Sequence, residues 1–217
     1  MKHSAILFDL DGTLLDTLED LADSMNATLT ALGLPAHPLS AYRYFVGDGV
    51  RNLALRALPE RARADESLVE KAVEAMRAEY GKRWHEKTRP YDGIPELLAS
   101  ARGRGLKLAI LSNKPHPATR EVVGHFFPGF RFEAVLGARP GVPIKPDAGA
   151  ALKVAESLGV PAAGFLYLGD TNTDMQTAVG AGMDPIGVLW GFREADELTS
   201  AGARVLVKHP RDVVELF

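Results

Sequence analysis

Six short apolar runs punctuate the chain: Ala5 to Leu10, Leu106 to Leu111, Phe132 to Leu136, Phe165 to Leu168, Pro185 to Leu189 and Val205 to Val207. They are rich in Leu, Val and Ile and show no strict polar alternation, which is the pattern of strands covered on both faces. Helical patterns fill the intervals: Pro95 to Arg102 before Gly103, Ala118 to His125, Asp147 to Leu158 before Gly159, and Thr173 to Ala181 before Gly182. Glycine stops a helix cheaply because it accepts the left-handed conformation. Strand alternating with helix predicts an α/β fold built on a doubly wound parallel sheet.

One interval breaks that rhythm. Between residues 16 and 87 no strand is expected, and three helical stripes appear instead. They are Leu18, Leu21, Met25, Leu29 and Leu32; Val50, Leu53, Ala54, Ala57 and Leu58; and Leu68, Ala72, Val73, Met76 and Tyr80. Gly33, Pro35, Pro38, Pro59 and Gly81 punctuate them. The expected organisation is a core from residues 1–15 and 88–217 with a helical domain, 16–87, inserted after the first strand. Asp16 is expected to mark the first hinge and to cap the leading helix of the insert.

Composition narrows the function without naming it. The 217 residues carry a net charge of −3, and the stretch from Glu60 to Glu74 mixes both signs, so no basic field for nucleic acid exists. The absence of cysteine removes disulfides and thiolate metal sites. The apolar start, Ala5 to Phe8, is too short for a secretion signal or a membrane span, so a cytoplasmic protein with no membrane partner is expected, as monomer or homodimer.

In a doubly wound sheet, ligands bind outside the carboxyl ends of the strands. Four polar clusters fall there: Asp9, Asp11 and Gly12; Ser112, Asn113 and Lys114; Lys145; and Gly169 to Asp174, which includes Asp170. Taken singly, Asp170 or Asp174 could be a helix cap, Ser112 and Asn113 turn formers, and Lys145 a solvated loop lysine. Asp9 and Asp11 are harder to explain that way, because two carboxylates at the end of so apolar a run repel each other and call for a cation.

A calcium loop fails on spacing. With Gly12 as its glycine, Leu7 and Leu18 would fall on ligand positions; starting at Asp170, Met175 replaces the glycine and Ala181 the final glutamate. Mg²⁺ fits better, since it needs few carboxylates and leaves room for a phosphate oxygen. A metal, a lysine and backbone N–H groups together offset the repulsion between a carboxylate nucleophile and a phosphate dianion. One aspartate can then attack phosphorus while another handles the proton.

"DLDGT", the hydroxyl residue in "ILSNK", "KPD" and "GDTNTD", in that order and spanning the chain, resemble the four motifs of the haloacid dehalogenase-type phosphatase superfamily. The helical insert resembles its cap domain, and the core its Rossmann-like sheet. The resemblance implies Asp9 as nucleophile and Mg²⁺ ligand, and Asp11 as general acid/base with its carbonyl on the metal. It implies Gly12 as the point of backbone approach to phosphate, and Ser112 and the Asn113 N–H as phosphoryl contacts. Lys145 would pair with phosphate and Asp9, Asp170 would ligate the metal, and Asp174 would orient metal-bound water or hold Lys145. Asp11 favours a phosphate ester, because members that cleave carbon–halogen or carbon–phosphorus bonds lack that residue.

Within the superfamily, "YFVGDGVRNLALRAL", "RPYDGIPELL", "LSNKP" and "VLWGF" resemble phosphoglycolate phosphatase-like members. The helix start at Asp48 and Gly49, with Arg51 as charge partner, is a candidate receiver of a substrate carboxylate, or else only a shaped turn. The expected substrate is a small phosphorylated metabolite, with 2-phosphoglycolate foremost. Pyrophosphate hydrolysis, a phosphomutase and a non-catalytic phosphometabolite-binding protein are the alternatives; a response-regulator receiver would be shorter and would lack the helical insert.

Overall fold

A computed structural model describes residues 3–217. The chain divides into two compact units, Met1–Leu15 with Pro90–Phe217, and Asp16–Arg89. It opens with β1 (Ala5–Phe8) and leaves the first unit through the short strand β2 (Leu15–Asp16). The second unit holds α1 (Leu18–Ala31), α2 (Leu39–Phe45), α3 (Val50–Ala57) and α4 (Glu66–Arg83). The chain returns through β3 (Arg89–Pro90), which pairs with β2.

Strands and helices then alternate through α5 (Ile94–Gly103), β4 (Lys107–Pro115), α6 (His116–Phe126), β5 (Ala134–Ala138), α7 (Gly149–Leu158) and β6 (Phe165–Gly169). The chain ends with α8 (Asn172–Ala181), β7 (Asp184–Val188), α9 (Ala195–Ser200), β8 (Val205–Val207) and α10 (Pro210–Val213). The six longer strands form one parallel sheet in the order β5-β4-β1-β6-β7-β8, which is the doubly wound α/β architecture expected.

β1 lies at the centre, and its four residues are wholly buried. Its side chains alternate between two covered faces, which is why Ala5, Ile6, Leu7 and Phe8 are all apolar. Ala5 and Leu7 pack with Ala109, Leu111, Phe165 and Tyr167 against Ala151, Val154, Ala155 and Leu158 of α7 and Ala178 and Ala181 of α8. Phe8 is level with Ile110 on one side and Leu168 on the other, so the residues that follow these three emerge side by side.

Three elements differ from expectation. β1 ends at Phe8 rather than Leu10, because the chain turns there: the N–H groups of Leu14 and Leu15 both donate to the Leu10 carbonyl at 3.0 Å. Leu10 is apolar because the turn itself is buried. Asp16 is not a helix cap; it extends β2, its carboxylate lies 3.2 Å from Arg89, and Thr17 precedes α1 instead. α2 was not expected, since it has seven residues and buries only Tyr42 among them. An aromatic cluster of His37, Tyr42 and Phe45 holds it where a longer stripe would otherwise be needed.

In the second unit, Leu21, Met25 and Leu29 of α1 are buried, as are Val69, Ala72, Val73 and Met76 of α4. Asp20, 1% exposed, joins the first helix to the returning chain. Its carboxylate accepts from Lys87 N at 3.1 Å, Thr88 N at 2.8 Å and Thr88 Oγ1 at 2.7 Å. Removing a buried anion that satisfies several donors leaves them unpaired, and bonds to charged groups contribute about 1.5–3 kcal/mol. Asp20→Ala is expected to lower unfolding free energy by about 2–3 kcal/mol in urea denaturation; a loss within about 0.5 kcal/mol would show that the clamp contributes nothing.

Candidate active site

The carboxyl ends of β1, β4 and β6 bring Asp9, Ser112 and Asp170 to one edge of the sheet, and the loop before α7 adds Lys145. All four are buried. Asp9 N still donates to Leu168 O at 2.9 Å, so the sheet fixes its backbone while its side chain leaves the strand register.

Lys145 is anchored at both ends. The side chain of Asn113 accepts from Lys145 N at 2.9 Å and donates to Lys145 O at 3.1 Å. At the other end, Nζ lies 2.7 Å from both Asp9 Oδ1 and Asp174 Oδ1. The contact to Asp174 is a hydrogen bond, whereas the one to Asp9 is a close ion pair outside hydrogen-bond geometry. Among the described residues, Asp9 Oδ1 therefore has no hydrogen-bond donor although it is buried. Asp174 is further committed: its Oδ2 accepts from Thr171 N at 3.0 Å and Thr171 Oγ1 at 2.6 Å, which ties it into the first turn of α8.

Asp170 sits in a fitted cradle. Thr13 Oγ1 donates to its Oδ1 at 2.8 Å and Phe192 N donates to its Oδ2 at 2.9 Å. A Cβ on Gly12 would stand 2.2 Å from Asp170 Oδ2, and one on Gly191 would stand 2.3 Å from Asp170 Cβ and 2.4 Å from Gly12 O. Only glycine fits at either place. Gly12 also has a φ of 90°, a conformation that side chains disfavour. Trp190 Nε1 donates to Thr13 O at 2.9 Å, joining the segment after β7 to the turn after β1.

Oxygens of Asp9, Asp170 and Asp174 lie within 4.8 Å of one another. Lys145 is the ammonium among them. Burial, then Asp174, pushes the Asp9 carboxyl well above the ordinary range, against the pull of Lys145. Burial, then Asp174, also raises Asp170 to about 7. Burial disfavours the Lys145 ammonium, but Asp174 and Asp9 outweigh that and hold it well above the usual lysine value. The cluster is therefore short of positive charge. Hard oxygen donors, a buried carboxylate oxygen with no donor and excess negative charge are what a divalent cation such as Mg²⁺ or Mn²⁺ fits. Asp174 already accepts three hydrogen bonds, from Lys145 and Thr171, against two on Asp170, so Asp9 and Asp170 would be the better-placed ligands.

Asp11 does not share this cluster through its side chain. Lys114 Nζ lies 2.8 and 3.0 Å from its two carboxylate oxygens, so each aspartate of the opening pair meets its own lysine. Ser112 Oγ accepts from Lys114 N at 3.1 Å. The sequence places Lys114 in the cluster with Ser112 and Asn113 but assigns it no role, because a lysine after two turn formers looks like a surface residue. The roles of the Asn113 side chain, Gly191 and the Phe192 N–H were equally hidden, since backbone donors and steric gaps have no side-chain signature.

Asp48, Gly49 and Arg51 belong to the helical unit. Gly49 precedes α3 with a φ of 86°. Asp48 forms an ion pair with Arg56, and Arg51 forms one with Glu66 and lies 3.8 Å from Glu70. Both charged side chains are thus engaged within their own unit, in an arrangement that accounts for them without a ligand.

The family model described as haloacid dehalogenase-like hydrolase matches residues 6–188. A phosphoglycolate phosphatase of Aquifex aeolicus is 32% identical over 212 residues, covering 98% of this chain and 95% of that protein. An N-acetylmuramic acid 6-phosphate phosphatase of Pseudomonas aeruginosa is 32% identical over 222 residues, covering 100% and 96%. A crystal structure from Lactobacillus delbrueckii subsp. bulgaricus superimposes with a TM-score of 0.93 at 31% identity, covering 100% of this chain and 98% of that one.

Two outcomes are expected. An acid whose proton is held more tightly folded than unfolded favours the fold at low pH; for Asp170 that contribution fades as pH rises from about 4 to about 7. A divalent cation competes with that proton, so its stabilisation should grow over the same interval. Thermal shifts with MgCl₂ are expected to be larger at a pH of about 8 than at about 5.5; equal shifts would contradict the assignment. Gly191→Ala should cost about 1–3 kcal/mol of stability and weaken that shift, and a variant with unchanged melting and unchanged shift would show that the cradle tolerates a side chain.

Proposed function

The chain belongs to the haloacid dehalogenase-like hydrolases and is a phosphoric monoester hydrolase, and from that premise we propose that it cleaves a small phosphomonoester through a phosphorylated Asp9, with Mg²⁺ as cofactor. The observation that carries the reading is Asp9 itself: a buried carboxylate beside Lys145 whose oxygens lie within 4.8 Å of those of Asp170 and Asp174. Carboxylates gathered that closely call for a cation besides Lys145.

Asp9 and Asp170, together with the Asp11 carbonyl, would hold Mg²⁺, which would neutralise negative charge near the transferring phosphoryl group. An Asp9 oxygen attacks phosphorus, and the bond from phosphorus to the leaving oxygen breaks. Asp11 gives that oxygen its proton. Lys145, already fixed between Asp9 and Asp174, offsets charge on the phosphoryl oxygens, and Ser112 and the backbone at Gly12 and Asn113 contact them. Asp11 then takes a proton from water, which attacks the phosphorus of the aspartyl phosphate and releases inorganic phosphate with free Asp9.

The leading substrate is 2-phosphoglycolate, because relatives bearing that activity in their names match nearly the whole chain. The relative named for N-acetylmuramic acid 6-phosphate makes a sugar-acid phosphate the second candidate. Both compounds carry a carboxylate on the alcohol half.

Phosphate release from 2-phosphoglycolate, N-acetylmuramic acid 6-phosphate and pyrophosphate, with Mg²⁺ or with EDTA, tests the reading. Mg²⁺-dependent release from a phosphomonoester is expected, with Asp9→Asn at least about 10³-fold slower. Turnover retained in Asp9→Asn would remove the nucleophile assignment. No release from any ester would remove the phosphatase reading.

A further inference from the structure

Lys114 is more buried than a surface lysine should be, and the reaction as described does not use it. Its side chain is 5% exposed, and it faces the Asp11 carboxylate, 13% exposed, at the carboxyl end of β4. An ammonium gives up strong hydration on burial, so its place needs a reason. Neutralising the Asp11 carboxylate is one, and receiving an anion that enters on the same side of the site is another.

The position of Lys114 separates it from the phosphoryl-binding groups. Lys145 lies on Asp9, the residue that meets phosphorus, whereas Lys114 lies on Asp11, the group assigned to the leaving oxygen. Lys114 is therefore a cation on the leaving-group side. The site otherwise concentrates Asp9, Asp11, Asp170 and Asp174, a field that repels any leaving group carrying its own negative charge. Lys145 is already shared by Asp9 and Asp174. An ammonium binds any carboxylate in the same way, so Lys114 can exchange the Asp11 carboxylate for one carried by a ligand.

We infer that Lys114 is the specificity-determining contact for an anionic leaving group, binding a carboxylate placed one or two carbons from the ester oxygen. The inference rests on the phosphatase reading above. A carboxylate so placed lies close to the leaving oxygen and hence to the group that protonates it. A neutral alcohol offers Lys114 nothing, and the lysine stays on Asp11. Substrate charge then contributes binding at this contact.

The test compares 2-phosphoglycolate with 2-hydroxyethyl phosphate, an ester of similar size without the charge, in wild type, Lys114→Met and Lys114→Arg. Wild type is expected to show a lower KM for the carboxylate ester; equal KM values would overturn the inference without any variant. Lys114→Met should reduce the ratio of kcat/KM between the two esters by about 10- to 100-fold, chiefly through KM for 2-phosphoglycolate. Lys114→Arg, which keeps the charge, should retain most of the preference. Equal loss on both esters in Lys114→Met would overturn the inference and leave Lys114 as a support for Asp11, with the phosphatase reading intact. Hydrolysis of neither ester by wild type would remove the phosphatase reading and this inference together.

Discussion

The structure is organised around an imbalance of charge in a buried place. Asp9, Asp170 and Asp174 bring oxygens within 4.8 Å of one another, and one ammonium, Lys145, stands between two of them. Burial raises the cost of every unpaired charge, so Asp9 and Asp170 hold their protons far more tightly than exposed aspartates do. A fold that sought only stability would not keep such a cluster, since apolar residues of similar volume would serve as well or better. The arrangement is intelligible as one that waits for positive charge to arrive from outside the chain.

Much of the rest of the core serves to keep that cluster in place. The central position of β1 sets Asp9 between the ends of β4 and β6, and the wholly apolar interior of the sheet makes that placement rigid. The turn that begins at Asp9 folds back on the Leu10 carbonyl, which brings Gly12 and Thr13 against Asp170. Gly191 and the Phe192 N–H close the cradle from the segment after β7. Asn113 grips the backbone of Lys145, and Asp174 grips its ammonium. Five separate stretches of chain thus converge on four side chains, and each contact restricts a group that would otherwise relieve repulsion by moving away.

The sheet was legible because short, uninterrupted apolar runs between helical patterns bury best as the inner strands of a parallel sheet, and all six expected strands form within a few residues of their expected ends. What could not be read was local or mutual. α2 is too short to carry a stripe, and its stability comes from aromatic contacts made in three dimensions. Asp16 resembles a helix cap in sequence, but pairing of β2 with β3 decides its conformation first. At the site, acids and lysines stood out by type and spacing. Lys114 falls in the cluster with Ser112 and Asn113 without a role of its own, and Gly191 and the side chain of Asn113 have no such mark, because their significance lies in what they touch. The charged residues at the start of α3 show the converse: Asp48 and Arg51 look available in sequence and are paired with Arg56 and Glu66 in the fold.

The charge imbalance has a direct structural consequence. Crystals of the protein grown or soaked with Mn²⁺ and measured for anomalous scattering would locate the cation without recourse to activity. One strong peak is expected among the carboxylates of Asp9 and Asp170, with Lys145 still on Asp174. Mn²⁺ bound only elsewhere, or no peak at that cluster at millimolar Mn²⁺ and neutral pH, would contradict a cluster built to receive a divalent cation.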